Sequence, residues 1–220
     1  MGSITRSLSN NITTGGVILP AGITNSSVSA VTSFANASGG TLILLSTQTA
    51  SASATISFTT GLNSTYDEYI FKYINCNPSV ENPNYFSFQA STNGGSTYAT
   101  TITSSYFYAA HNEADTQTLL EYSTADDLAQ STSFQRIGAN AGNDNDQSVS
   151  GTLTLFNPSS TTYVKHFIAN HSTDSISEYA VNGFIAGYFN TTSAINAVQF
   201  KFESGNIDDG IIKLYGVKKS

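Results

Sequence analysis
Asp144 and Asp146 stand two residues apart in GNDNDQSVSG (residues 142–151), between Asn143 and Asn145. Carboxylate and amide oxygens alternating in a glycine-bounded loop suit a hard cation such as calcium, which takes roughly six to eight oxygen ligands. The EF-hand pattern fails here. Counted from Asp144, its glycine position is Val149 and its bidentate glutamate position is Leu155. A looser calcium loop through Asp144 and Asp146 stays open beside the plainer reading, a polar turn feeding the strand SGTLTLF. The turn is expected.

The other reactive residue types are scattered. His166 and His171 lie five apart in TYVKHFIANHS, so on a strand they face opposite sides and cannot chelate one metal. His111 is isolated in AAHNEAD and Cys76 is the lone cysteine, which leaves no zinc-ligand spacing. His166 is expected to be a buried or half-buried strand residue bonded to a neighbour, not a catalytic base. Glycoside hydrolysis needs two carboxylates about 5 Å, or about 6.5–9.5 Å, apart across a sugar. The pairs Asp67/Glu68, Glu113/Asp115, Asp126/Asp127 and Asp208/Asp209 all fall at turns or strand edges, where acids keep a β surface wet and its edges unpaired. No G-x-S-x-G nucleophile elbow and no glycine-rich phosphate loop occurs. A chain without catalytic residues or cofactor is expected.

STNGGSTY (91–98) resembles the Asp-box hairpin of sialidases and other β proteins. Ser91, Gly95 and Thr97 match, while Asn93 replaces the aspartate and Tyr98 the tryptophan. That motif is a structural turn and implies no sugar chemistry. Sugar binding has a different candidate. Tyr106, Phe107 and Tyr108 form an aromatic run read here as a loop-borne patch, available to a glycan or an interface. Twelve tyrosines supply stacking rings, although tryptophan is absent.

These side chains must be positioned by β structure. From TLILLS (41–46) onward the apolar period is two: ATISF places Ala54, Ile56 and Phe58 on one face, and YIFKYI alternates Tyr69, Phe71 and Tyr73 against Ile70, Lys72 and Ile74. YFSFQ, TLTLF, TYVKHFI, AVQFKF and GIIKLYGV repeat the pattern, separated by the turn clusters NPSVENPN, STNGGST, NPSSTT and SGNIDDG. EADTQTLLEY fits a short helix and a strand equally well. Roughly ten strands at this spacing predict an all-β antiparallel β-sandwich over residues 41–220, with the jelly roll the commonest form at this size. GNDNDQS, SYFYAAHNEAD and HSTDSISEY are read as its outward or subunit-facing loops.

Residues 1–40 differ in kind. Arg6 is the only charged side chain before Asp67, and the segment is dominated by Ser, Thr, Asn, Gly and Ala. Its apolar residues Ile4, Leu8, Ile12, Val17, Ile18, Leu19 and Ile23 are too sparse and aperiodic to form a core. An extended docking arm is expected, ordered by a neighbouring subunit that captures several of these side chains together.

Charge narrows the partners. Of 220 residues 10% are charged and the formal charge is −7, with a pI of about 4.7. A phosphate backbone requires a basic footprint, so nucleic acid is not an expected partner. No apolar run approaches the ~18 residues that span a bilayer, so membrane insertion is not expected either. Arg6 is followed by no apolar stretch of the secretory type, so manufacture in the cytoplasm is expected. The six N-x-[ST] sequons are then a by-product of composition.

Several long runs carry a resemblance: STQTASASATISFTTGLNSTYDEYIFKYINCNP, GNDNDQSVSGTLTLFNPSSTTYVKHFI, NTTSAINAVQFKFESGNIDDGIIKLYGVKK and the opening ITRSLSNNITTGGVILPAGI. Together they resemble virion structural proteins of marine tailed bacteriophages, including cyanophages and pelagiphages. The resemblance implies a non-enzymatic particle component, located on the virion as a head decoration, head fibre, tail fibre or collar part. Capsid, portal, tail or fibre proteins are then the expected partners of the arm, and a homo-oligomer, a trimer by preference, is its natural setting. Host-surface glycan recognition through Tyr106 and Tyr108 is the alternative.

Overall fold
The structure, a computed structural model, describes residues 41–81 and 84–218. The docking arm assigned to residues 1–40 lies outside the described residues. Twelve strands follow one another in the order β1 (Leu42–Thr49), β2 (Ile56–Phe58), β3 (Glu68–Pro78), β4 (Tyr85–Ser91), β5 (Ile102–Asn112), β6 (Thr118–Tyr122), β7 (Gln135–Asn140), β8 (Val149–Phe156), β9 (Lys165–Asp174), β10 (Tyr179–Phe189), β11 (Ala197–Phe202) and β12 (Ile207–Val217). They form two antiparallel sheets, an eight-stranded β1-β12-β3-β8-β9-β10-β5-β6 and a four-stranded β2-β11-β4-β7.

The topology is a jelly roll with two insertions. Without β5, β6, β9 and β10, the remaining eight strands alternate between the sheets as the chain advances, except that β4 is followed by its own neighbour β7, in the orders β1-β12-β3-β8 and β2-β11-β4-β7. That is the pair of interlocked Greek keys defining the jelly roll. The β5–β6 and β9–β10 hairpins both enlarge the first sheet beyond β8.

Period-two burial makes this work. Tyr69, Phe71 and Tyr73 of β3 are fully buried, as are Leu153 and Leu155 of β8 and Phe86 and Phe88 of β4. Phe200 of β11 lies at the centre, its ring 5.3 Å from Phe71, 5.9 Å from Phe86, 6.1 Å from Phe58 and 6.3 Å from Phe88. Phe71 reaches Phe200 from the larger sheet and the other three rings from the smaller one, so aromatic burial both lines the small sheet and joins it to the large one.

One inward row of the large sheet alternates rings with glycines. Tyr108, Gly183, His171, Gly151 and Tyr73 stand directly opposite one another on β5, β10, β9, β8 and β3. A Cβ on Gly183 would come within 2.0 Å of the His171 ring, and one on Gly151 within 2.5 Å of the Tyr73 hydroxyl. Only glycine lets the neighbouring rings lie across these strands.

Several expectations need correction. SYFYAAHN is not a loop but most of β5, and HSTD ends β9, leaving only Ser175–Glu178 to turn into β10. TLLEY is strand β6. Ala54 is exposed and precedes β2, so only Ile56 and Phe58 of that trio reach the core. His166 is exposed and His171 is the buried one: the two do face opposite sides, but the inward face falls to Lys165, Phe167, Ala169 and His171. The Asp-box-like turn forms, but it does not close the hairpin expected from the sequence, because β4 and β5 belong to different sheets. Ser91 Oγ accepts from the Asn93 and Gly95 N–H groups, and Asn93 Oδ1 accepts from the Thr97 N–H. Gly94 and Gly95 both adopt positive φ there.

Candidate functional site
The two sheets are unequal, and the difference creates a cleft. β7, the last strand of the smaller sheet, packs over β8, β9 and β10. The β5–β6 hairpin ends the larger sheet, and β7 ends the smaller one. A cleft of about 380 Å³ occupies this corner, toward the small end of the roughly 300–1,000 Å³ typical of small-molecule sites.

Each wall comes from a different element. Tyr106, Tyr108 and Ala110 of β5, with Val181 of β10 and Leu119 of β6, form the floor. Tyr85 of β4 and Ala139 and Asn140 of β7 form the facing wall. The segment returning from β6 to β7 closes one end with Ser123, Ala125 and Asp126, and the β9–β10 turn closes the other with Ser175, Ser177 and Tyr179. Both closures are tied down: the Ser104 and Leu128 backbones are bonded, and the Ile176 N–H donates to the Asn140 carbonyl.

Alternation along β5 divides the aromatic run. Tyr106 and Tyr108 face the cleft, whereas Phe107 lies on the opposite face of the sheet, where its ring stacks on Phe184 at 5.0 Å and 10°. The three do not form the single patch expected from the sequence, because neighbouring strand residues point to opposite faces.

Electrostatics at the site centre on Arg136. Its guanidinium lies 3.8 Å from the centre of the Tyr85 ring. It grips Glu203 through two bonds, 2.6 Å from Nε and 2.9 Å from Nη2, and Asp126 through Nη1 at 2.7 Å. Burial opposes its charge, but the two carboxylates hold its pKa above the usual guanidinium value. Asp126 spends its second oxygen on the Ser123 hydroxyl at 2.5 Å. Arg136 and Asp126 are thus both committed to structure.

Below the floor, the Tyr106 hydroxyl meets His171 Nε2 at 2.7 Å and Thr173 Oγ1 meets Nδ1 at 2.9 Å. Two hydroxyls, each able to donate or accept, satisfy a neutral imidazole in either tautomer. Burial pushes the His171 pKa down from 6.5 to about 3 and raises that of Tyr106, with the charge of Asp126 adding to the shift. Neither group is poised to exchange protons near neutrality.

His171 has a consequence for stability. Its folded pKa lies below its unfolded value, so its contribution is complete above pH ~6.5 and is lost as the pH falls toward 3, by about 1.4 kcal/mol per unit. Asp174 and Glu178 act oppositely: burial first, then neighbouring acids including Glu113, raise their carboxyl pKa values, so acidification relieves them. The expected result is therefore a difference. Urea unfolding at pH 7.5 and 5.0 should show His171→Gln losing about 2 kcal/mol less stability than the parent; equal losses would contradict the buried neutral imidazole.

The remaining sequence candidates lie elsewhere. Asp144 and Asp146 sit in the turn between β7 and β8, where Asn77 Nδ2 donates to the carbonyls of Asp144 at 3.2 Å and Gln147 at 2.6 Å. Among the described residues no group of three or more His, Cys, Asp or Glu side chains is arranged to hold a metal ion. Cys76 is buried, and desolvation lifts its thiol pKa to about 12. Ile4, Leu8, Ile12, Val17, Ile18, Leu19 and Ile23 fall outside the described residues. The sequence reading missed Tyr85, Arg136, Asn140, Tyr179 and Glu203. Arg136 carried one usable signal, since it is the only arginine after Arg6.

Compared with known proteins, the chain matches no family model, no curated protein and no solved structure.

Proposed function
We propose that this chain is a non-enzymatic structural component of a bacteriophage virion, held to capsid, portal, tail or fibre proteins by residues 1–40 and presenting the jelly roll outward. The observation that carries the reading is the double Greek-key topology, found on a chain whose long sequence runs resemble phage virion proteins. Viral coat and lectin domains both use that topology, and the step from fold to role is one of analogy. The committed charges of Asp126, Arg136 and Glu203 and the neutral, enclosed His171 also favour a scaffold over a catalyst. A homo-oligomer, with a trimer preferred, suits a part repeated on a symmetric particle.

Mass spectrometry of gradient-purified particles from a phage encoding this chain tests the proposal. The chain should copurify at a fixed ratio to the major capsid protein. Recovery only in the soluble lysate would contradict it. The open cleft favours a second reading, in which the displayed domain recognises a host-surface glycan.

A further inference from the structure
The cleft beneath the β5–β6 overhang is walled by tyrosines and lined by several polar side chains. Its polar groups divide into those already committed and those left over. Tyr106 bonds His171, Tyr108 donates to Glu121 Oε2 at 3.1 Å, Tyr179 donates to Gln117, and Asp126 is held by Arg136 and Ser123. These bonds fix the aromatic rings in place. The Tyr85 hydroxyl, the Ser177 hydroxyl and the amide nitrogen of Asn140, whose oxygen accepts from the Asn84 N–H, have no hydrogen-bond partner among the described residues. Three unspent polar groups thus converge on a recess with tyrosine walls.

From this arrangement we propose that the cleft binds a neutral pyranose, a single residue or the end of a short glycan. A pyranose presents a C–H face that the electron-rich face of a tyrosine attracts, and hydroxyls at its edge that need donors and acceptors. Tyr108 is half-buried, and its ring is steadied by the bond to Glu121, so little side-chain freedom is lost on binding. Charge sets the class. Asp126 lines the recess and Glu121 borders it, and the nearby cation, Arg136, is taken up by Asp126 and Glu203. A sugar carrying a carboxylate or sulfate would meet two acids and no available base, so sialic and uronic acids are disfavoured.

The proposal deepens the glycan-recognition reading and rests on it. The test is ligand-observed NMR on the full chain. The probes are methyl glycosides of glucose, galactose, mannose and N-acetylglucosamine, with N-acetylneuraminic and glucuronic acid as the charged set and a broad glycan array alongside. At least one neutral glycoside is expected to bind with a Kd of about 1 mM or tighter. Tyr108→Ala should weaken it at least tenfold, and Asn140→Ala by a smaller factor. Phe107→Ala, one residue away but on the opposite face, should leave the affinity unchanged. Unfolding curves accompany each variant, and Asn140→Ala keeps the test informative if Tyr108→Ala proves unstable. Binding of acidic sugars only, or binding lost in Phe107→Ala and kept in the cleft variants, would overturn the proposal while sparing glycan recognition. No binding to any glycan would overturn both.

Discussion

Phe200→Ala is expected to lower the unfolding free energy by about 3–5 kcal/mol, the usual cost of removing a fully buried phenylalanine. The magnitude follows from position. Phe200 is 0% exposed and touches aromatic rings from β2, β3 and β4, so it joins both sheets at their centre. The four surrounding rings project from three strands of the two packed sheets and cannot collapse into the space without moving backbone, so the cavity persists. Guanidinium unfolding checks this, with an unchanged slope showing that stability rather than denatured-state compactness has moved. A loss below about 1 kcal/mol would mean that the jelly-roll core is not organised around this residue.

Arg136→Met should cost about 2–3 kcal/mol. Methionine keeps an apolar stem against Tyr85 but removes both ion pairs, leaving Asp126 at 12% side-chain exposure without its cation. Breaking a buried pair costs about 3–5 kcal/mol and an exposed one about 0–1 kcal/mol. Arg136, at 26% exposure, belongs between those limits. Arg136→Lys should recover only part of the loss, because an ammonium cannot reproduce the two-bond grip on Glu203 together with the bond to Asp126. Glu203→Gln in the Arg136→Met background should cost little more, since the partner is already gone. Additive losses would show that the cluster does not act as a unit.

The two predictions rest on features that were unequally legible. The alternation of YIFKYI, TLTLF and AVQFKF could be read directly, because those strands bury one face and wet the other. β5 and β10 were harder. The outer face of the sheet there is also apolar, with Phe107, Phe184 and Ile168 partly exposed, so SYFYAAHN shows no clean period. In YAVNGFIAGYF the residues Asn182, Gly183 and Gly187 imitate turn chemistry. The last two are small because the rings of His171 and Phe167 lie against them, a cross-strand demand invisible along the chain. β7 reads as polar because Gln135 is buried, bonding the Asp126 and Arg136 carbonyls and the Ser104 hydroxyl.

The cleft was the least legible part. Its residues span positions 85 to 181 and meet only because two hairpins are added to one sheet and not to the other. Aromatic content pointed to Tyr106 and Tyr108, but nothing local separated them from Phe107 until the strand direction was known. Arg136 and its partners Asp126 and Glu203 stand 10 and 67 residues apart, beyond the reach of any spacing rule.

Assembly of phage carrying this chain without residues 1–40 tests the proposed attachment most directly. The account predicts that the truncated body keeps the unfolding transition of the full chain and is missing from purified particles, which otherwise assemble. Particles that take up the truncated body at the full-length ratio would contradict it.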